Sequence, residues 1–209
     1  MIFQISPRTM TKDLSLWSIL SPPQSAKTVT GEFSGICDAD WKRDVALFHC
    51  DPEDQDFVMP IDADDLIHRD VVSELKNADG FEAVFINNGY EFCFKSRRLL
   101  EQNNMVKRTS TSFALRAHLL NKPSSLDKSS LSKTLYHTVY HSNVIEFIEE
   151  NSLPHKYLTT PSSVYRTNTS TNISDFFRRG HLLRSTRHRL KFLLGKKPTE
   201  DDFELFGRF

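Results

Sequence analysis

The 209-residue sequence lacks the features of several common protein classes. Its three cysteines, Cys37, Cys50 and Cys93, are an odd number without Cys-x-x-Cys spacing, so neither a disulfide framework nor a zinc site is expected. Reduced thiols suit a cytosolic protein. No apolar run approaches the ~18 residues of a membrane span, and no secretory signal, internal repeat or long low-complexity tract is visible. The sequence therefore predicts a cytoplasmic globular protein.

Charge is balanced overall but not locally. The 27 basic and 27 acidic residues cancel, which argues against a dedicated nucleic-acid partner. The stretch FFRRGHLLRSTRHRLKFLLGKK (176–197) is nevertheless basic and amphipathic, and an acidic tail follows it. We expect a helix over 176–194 at the edge of the domain, with a solvated basic face and leucines packed on the body. The alternative is a peripheral contact with an anionic membrane surface, at its inner face, near a lipid-linked acceptor.

The pattern along the chain predicts an α/β fold, a mixed sheet flanked by helices, over residues 1–175, with 176–209 as a basic helical extension. Residues 1–43 are predicted to be irregular, with one short helix near 14–20. The expected strands are VALFHC (45–50), FVMPI (57–61, buried on both faces and ending near Pro60), FEAVFIN (81–87) and YEFCF (90–94), the last two joined by a hairpin turn at Asn88-Gly89. The other expected elements are helices at 68–80 with Gly80 as its C-terminal cap, 129–141 and 143–151, a strand or helix start at 110–120, and extended pieces in 156–168.

Three carboxylates lie within four residues directly after the FVMPI strand. Asp62, Asp64 and Asp65 repel one another, and moving any of them out of water is costly. One interpretation is a solvated turn in which Asp64 or Asp65 caps the next helix. The other is a site for Mg²⁺ or Mn²⁺, which take oxygen ligands and often use one or two carboxylates together with phosphate oxygens. Both interpretations agree with the sequence.

Two known acidic motifs fit the letters poorly. An EF-hand loop starting at Asp62 would need an acid at Leu66, Gly at Ile67 and Glu at Ser73. A phosphatase of the haloacid dehalogenase type normally carries Thr or Val where this chain has Leu66. Its acidic motif also follows the first core strand, whereas a candidate strand precedes FVMPI here. A metal-dependent phosphohydrolase therefore stays a minor alternative.

The phrase VMPIDADDLIHRDVVSEL resembles the strand–DxD–helix segment of GT-A glycosyltransferases, especially bacterial family-2-like enzymes with an LDADDxL phrase. FEAVFINNGYEF resembles the strand and hairpin that follow in that family. RTSTSFALR (108–116) resembles the acceptor-side strand with small hydroxyl residues, and YRTNTSTNIS (165–174) resembles the late polar segment that returns toward the metal and diphosphate. Only 61 residues precede Asp62, so the resemblance implies a base-binding part that is shortened at its N-terminus.

This resemblance implies transfer of a sugar from a nucleotide-diphosphate donor to a hydroxyl group of a glycan or lipid-linked acceptor. Asp64 would be the principal ligand of Mn²⁺ or Mg²⁺, and Asp62 the acid nearest the nucleotide and the metal. Asp65 would be a supporting acid on the nucleotide side or a helix cap. No residue matches the usual catalytic base; the candidates are His141 and the acids Glu146, Glu149 and Glu150. His137 and His141 are candidate ligands of the metal or the diphosphate. A non-catalytic GT-A-like protein that binds a glycan or a partner is the main alternative.

Overall fold

The computed structural model describes residues 2–5, 15–17, 35–139, 141–167 and 190–207, which form a mixed α/β fold with helices against two mixed sheets. The strands are β1 Ile2–Ile5, β2 Ser15–Trp17, β3 Phe57–Pro60, β4 Leu66–Ile67, β5 Ala83–Ile86, β6 Gly89–Cys93, β7 Arg98–Gln102, β8 Phe113–Arg116, β9 His155–Leu158 and β10 Ser163–Thr167. The α-helices are α1 Gly35–Cys50, α2 Val71–Lys76, α3 Lys128–Leu131, α4 Leu135–Thr138, α5 Val144–Glu150 and α6 Glu200–Phe206. Short 3₁₀ turns lie at Met105–Lys107, Ala117–Leu120, His141–Asn143 and Phe192–Leu194. The predicted α/β class is confirmed.

The larger sheet places the strand before the acidic loop in its interior. Its order is β2-β1-β3-β8-β5-β9, and all neighbours are antiparallel except β5 and β9. All four residues of β3 are buried, as the absence of alternation predicts, and Pro60 is its last residue. The chain therefore leaves the sheet immediately before Asp62.

Both faces of this sheet are covered by helices, because alternate residues of a strand point to opposite faces. One face packs against α1, α4 and α5, and the other packs against α2. The first core includes Leu47, Val58, Phe85, Phe113, Leu115, Leu135 and Ile148. The second includes Met59, Val71, Leu75, Val84, Ile86 and Ala114. These two cores fix β3 between its neighbours, and with it the start of the acidic loop.

The smaller sheet has the order β4-β10-β6-β7, with β10 parallel to β6 and the other pairs antiparallel. Phe206 of α6 packs on this sheet, against Phe92, Leu99 and Val164 of its strands. The helix α6 begins with a capping box in which Thr199 and Asp202 bond each other's backbone amides. β4 directly follows the acidic loop and pairs with β10, so the loop joins the two sheets.

The prediction of a strand at residues 45–50 is wrong, because these residues are the last turns of the 16-residue helix α1. Only Ala46 and Leu47 of the apolar run are buried, as helical periodicity requires. β-branched and aromatic residues favour a strand only where they can pack on a sheet. Here the run is the end of a helix that begins at Gly35.

The prediction of irregular chain before residue 44 is wrong for the residues that the structure describes there. β1 pairs with β3 in the register Phe3↔Met59, and β2 extends the sheet beyond β1. The short helix expected near 14–20 is also contradicted, since Ser15–Trp17 is a strand. Pairing with a distant strand, which no local pattern reports, determines these elements. The remainder of this segment, 6–14 and 18–34, lies outside the described residues.

The predicted hairpin at Asn88-Gly89 does not form, because β5 and β6 belong to different sheets. β5 is flanked by β8 and β9, so β6 leaves to pair with β7 and β10. Gly89 meets a different need: a Cβ at this position would lie 2.4 Å from the Ser163 carbonyl oxygen. The glycine thus permits the close approach of β10.

The helical predictions in the second half are confirmed in part. The expected helix at 143–151 is α5, but the one at 129–141 is divided into α3 and α4 because Thr134 is extended. The helix predicted at 68–80 is the shorter α2, and Gly80, at φ 79°, lies beyond its C-terminal cap, Asn77. The extended pieces in 156–168 correspond to β9 and β10.

The basic segment predicted as a helix over 176–194 lies largely outside the described residues, which resume at 190. At this end Phe192 is buried, whereas Leu190, Leu193 and Leu194 are exposed, so the expected packing of the leucines on the body is wrong for these three; Leu182 and Leu183 lie outside the described residues. The physical reason is the tight 3₁₀ turn at Phe192–Leu194, which directs one side chain into the core and the next two outward. Within the described residues, no helix combines the length and apolar character needed to cross a bilayer.

We predict that Gly89→Ala lowers the free energy of unfolding by about 2–3 kcal/mol, because the added methyl meets the backbone of β10. Gly80→Ala is the control. No atom lies within 4 Å of a Cβ added here, but the φ of 79° is unfavourable for alanine, so this substitution should lower the free energy of unfolding by about 1 kcal/mol. Urea unfolding of the two variants measures the difference. A Gly89→Ala protein as stable as wild type would contradict the proposed close packing.

Candidate functional site

The acidic loop lies at the C-terminal end of β3, as predicted. The Asp65 amide donates to the Asp62 carbonyl at 3.0 Å, so the three acids lie on one tight turn. The expectation that Asp64 or Asp65 caps the next helix is wrong: α2 begins at Val71 with Asp70 at its N-cap, and β4 intervenes. Capping of α2 therefore does not explain the positions of Asp64 and Asp65.

Three consecutive hydroxyl residues before β8 hold the acidic loop. Thr109, Ser110 and Thr111 are each no more than 3% exposed. The Ser110 hydroxyl donates to Asp62 Oδ1 at 3.0 Å, and Thr111 Oγ1 accepts from the Asp62 amide at 2.8 Å. Thr109 Oγ1 lies 2.5 Å from Asp65 Oδ2 and 3.3 Å from Asp62 Oδ2. Two of the three acids therefore converge on one hydroxyl group.

Helix α1 contributes the positive charge of the site. Arg43 Nη2 donates to Asp62 Oδ1 at 3.0 Å and lies 2.7 Å from the Ser110 hydroxyl oxygen, while Nη1 donates to Asp40 at 2.9 Å. Its side chain is 17% exposed, compared with 38% for that of Asp62. Because Arg43 is shielded and Asp62 is more than a third exposed, water still screens this pair in part, and it lies between a surface ion pair and a buried one.

Asp65 is the buried acid of the loop, and its charge is poorly compensated. Burial, with additional repulsion from Asp62 and Asp64, raises the pKa of Asp65 from 3.8 to about 7, against hydrogen bonds from Thr109 and Thr111 that lower it. A protonated Asp65 can donate to Thr109, which frees the threonine hydrogen for Asp62. The proton thus relieves the repulsion that three adjacent carboxylates create.

The late strand β10 also reaches the acidic loop. The Arg166 backbone amide donates to Asp65 Oδ1 at 3.3 Å, and Val164 pairs with Leu66 immediately after the loop. Asp64, the predicted principal metal ligand, is half-buried between Asp62 and Asp65. The predicted acidic loop, the hydroxyl segment and the start of the late polar segment therefore meet at one place.

The structure separates the candidate catalytic bases. His141 is half-buried, and its burial and the charge of Arg43 lower its pKa while Asp62 opposes them, so it belongs to the same electrostatic neighbourhood. Glu146, Glu149 and Glu150 are exposed on α5, and Glu149 instead raises the pKa of Tyr157. His137 is in α4, but its side chain lies outside the described part of the protein. Among the candidates whose side chains the structure describes, His141 is the one that the charges of Asp62 and Arg43 influence.

Sequence inspection did not identify Arg43 as part of the site. It precedes Asp62 by 19 residues, on a helix whose last residues have the composition of a strand. The signal in the sequence is charge, since five charged residues lie within 38–44, directly before the apolar run at 45–48. Such groups are buried only when paired, so they mark a polar contact without identifying its partner.

The donor set fits a hard divalent cation in kind. The carboxylates and hydroxyls supply the oxygen ligands that such a cation prefers. Among the described residues, no group of three or more His, Cys, Asp or Glu side chains is arranged to hold a metal on its own. A cation here would therefore use one or two carboxylates, with substrate phosphate oxygens completing its coordination.

We predict that the stability of wild-type protein falls, relative to Asp65→Asn, as pH rises from about 4 to about 7. The folded state keeps the Asp65 proton through this range while the unfolded chain loses it, so folding becomes less favourable until both are ionised. At about 1.4 kcal/mol per pKa unit, the difference reaches at most roughly 4 kcal/mol. Chemical denaturation of both proteins in the presence of a chelator, at several pH values in this range, measures this difference in stability. If the stabilities of the two proteins depend on pH in the same way, the raised pKa of Asp65 is contradicted.

Comparison with known proteins adds no family assignment. No protein-family model, no curated protein sequence and no solved structure matches the chain. The function must therefore be argued from the chemistry of the acidic loop, the hydroxyl residues 109–111 and Arg43.

Proposed function

We propose that the protein is a GT-A-type glycosyltransferase that moves a sugar from a nucleotide-diphosphate donor to a hydroxyl acceptor. The supporting observation is the convergence of three segments that resemble parts of that family. Asp62 and Asp65 of the DxDD phrase bond Thr109 and Ser110 of the hydroxyl segment, and Asp65 accepts from the Arg166 amide of the late segment. These segments are more than 40 residues apart in the chain, so their meeting is a property of the fold.

In this function Asp64 and Asp62 would hold Mn²⁺ or Mg²⁺, which would supply positive charge against the negative charge on a departing diphosphate. Ser110 and Thr111 fix the orientation of Asp62 through its carboxylate and its amide. Asp65 remains behind them as a buried supporting acid on Thr109.

His141 is the best-placed group to accept the proton of the acceptor hydroxyl. The lowering of its pKa by burial and by Arg43 keeps the imidazole neutral, and a neutral imidazole can accept a proton. The exposed positions of Glu146 and Glu149 favour them less for this role.

A second candidate function is non-catalytic binding of a glycan or a partner protein by a GT-A-like fold. The observation in its favour is the Arg43 guanidinium, which already pairs with Asp62. A metal-dependent phosphohydrolase has less support, since β1 and β2 precede β3 in the same sheet. Cation and nucleotide binding distinguish the first candidate from the second.

We predict that Asp64→Asn abolishes Mn²⁺ binding while the protein stays folded, because the amide keeps the shape of the side chain and loses its charge. Calorimetric titration with Mn²⁺, alone and with a panel of nucleoside diphosphates, measures the effect. Asp70→Asn is the matched control, an exposed acid eight residues after Asp62, and should bind as wild type. Unchanged affinity in Asp64→Asn would overturn the metal role, and wild type that binds Mn²⁺ but no nucleotide would overturn the donor class.

The exposed leucines at the end of the basic segment support a peripheral contact with anionic membranes, where a lipid-linked acceptor would lie. Leu190, Leu193 and Leu194 are 56%, 67% and 88% exposed. The neighbouring Lys191 Nζ contacts the buried Glu91 at 2.6 Å, and Lys196 pairs with Leu99 of β7. The turn that carries the leucines is thereby fixed to the smaller sheet.

We predict that the protein co-sediments with phosphatidylcholine vesicles containing phosphatidylserine at low salt, and several-fold less at high salt, because ions screen exposed charges beyond roughly 8 Å at physiological ionic strength. The double variant Leu193→Ser, Leu194→Ser should bind several-fold less, while Leu126→Ser, a leucine 48% exposed elsewhere, should not. Absence of binding at low salt, or equal binding by the double variant, would overturn the membrane contact.

A further inference from the structure

Arg43 lies where a cation serving Asp62 would have to act. Its guanidinium contacts Asp62 Oδ1 at 3.0 Å, Ser110 Oγ at 2.7 Å and Asp40 Oδ1 at 2.9 Å. The same Asp62 oxygen accepts the Ser110 hydroxyl, so donors already surround it. An approaching metal ion would meet a fixed positive charge on the carboxylate it must share.

Asp62 is the acid of this contact that a cation could reach most easily. Its side chain is 38% exposed, whereas those of Asp40 and Arg43 are each 17% exposed. Arg43 bonds both acids, so it engages the more accessible of the two carboxylates.

We infer that Arg43 is a built-in counter-cation that competes with a divalent metal for Asp62. This inference rests on the proposed function for the identity of the metal site and deepens it by naming what controls access. In this structure the guanidinium pairs with Asp62 and so joins α1 to the acidic loop. A cation bound by Asp64 takes Asp62 only as Arg43 leaves it.

The displaced arginine has a chemical use within reach. A guanidinium presents a planar fork of N–H donors that matches phosphate oxygens as well as carboxylates. Released from Asp62 but still bonded to Asp40, Arg43 remains beside the loop on which a diphosphate would be bound. Exchange of Asp62 for a phosphate group therefore couples entry of the metal to recognition of the donor.

The decisive experiment is calorimetric titration of Mn²⁺ into wild type, Arg43→Gln, Arg43→Lys and Arg69→Gln. Removal of a positive charge a few ångströms from the metal should make Arg43→Gln bind Mn²⁺ about tenfold more tightly or better. Arg43→Lys keeps the charge and should bind nearly as wild type. Arg69, an exposed arginine close in sequence to the loop, is the control and should have no effect. Melting temperatures establish that each variant is folded, and Arg43→Met, a second neutral replacement with the same expected gain in affinity, takes the place of Arg43→Gln if that variant does not fold.

Asp62→Asn in both backgrounds tests the site of competition. In wild type it should change Mn²⁺ affinity by less than about threefold, because Arg43 engages Asp62, whereas in Arg43→Gln it should weaken binding about tenfold. Equal or weaker Mn²⁺ binding by Arg43→Gln, additive effects of the two substitutions, or no Mn²⁺ binding by any variant would overturn the competition. Tighter Mn²⁺ binding by Arg43→Gln without nucleoside diphosphate binding would overturn the glycosyltransferase proposal alone.

Discussion

The site depends on hydrogen bonds from buried hydroxyl groups to Asp62 and Asp65, two of the three carboxylates that follow β3. Adjacent acids at the end of a buried strand repel one another, and a fold that removes them from water must supply donors. Thr109 and Ser110 supply these donors, and Thr111 receives the amide of Asp62. Because these residues lead into β8, which pairs with β3, the strand pairing that builds the core also positions the acids.

Two features oppose the repulsion between these acids. Arg43 pairs with Asp62, and burial above all raises the pKa of Asp65 to about 7. In the proposed function a divalent cation would take over part of this role, because the phosphates of a nucleotide-diphosphate donor would bring further negative charge to the loop.

The local sequence predicts correctly those elements whose pattern of apolar residues lies within a few neighbouring positions. FVMPI lacks alternation because β3 is buried on both faces, and the periodicity of 143–151 suffices for α5. It failed where distant partners decide. Residues 45–50 have strand-like composition but end a long helix, and Gly89 follows Asn88 yet serves the approach of Ser163. The three acids can be recognised in the sequence because they lie within four residues. Arg43 is distant in the sequence, and only the fold brings it to Asp62.

A crystal structure with Mn²⁺ and a nucleoside diphosphate, using the anomalous signal of manganese, tests the central claim most directly. The account predicts one manganese peak at roughly 2.1 Å from an Asp64 carboxylate oxygen, with Arg43 moved from Asp62 toward a phosphate oxygen. Absence of manganese at the acidic loop, with nucleotide bound elsewhere and Arg43 still on Asp62, would contradict it.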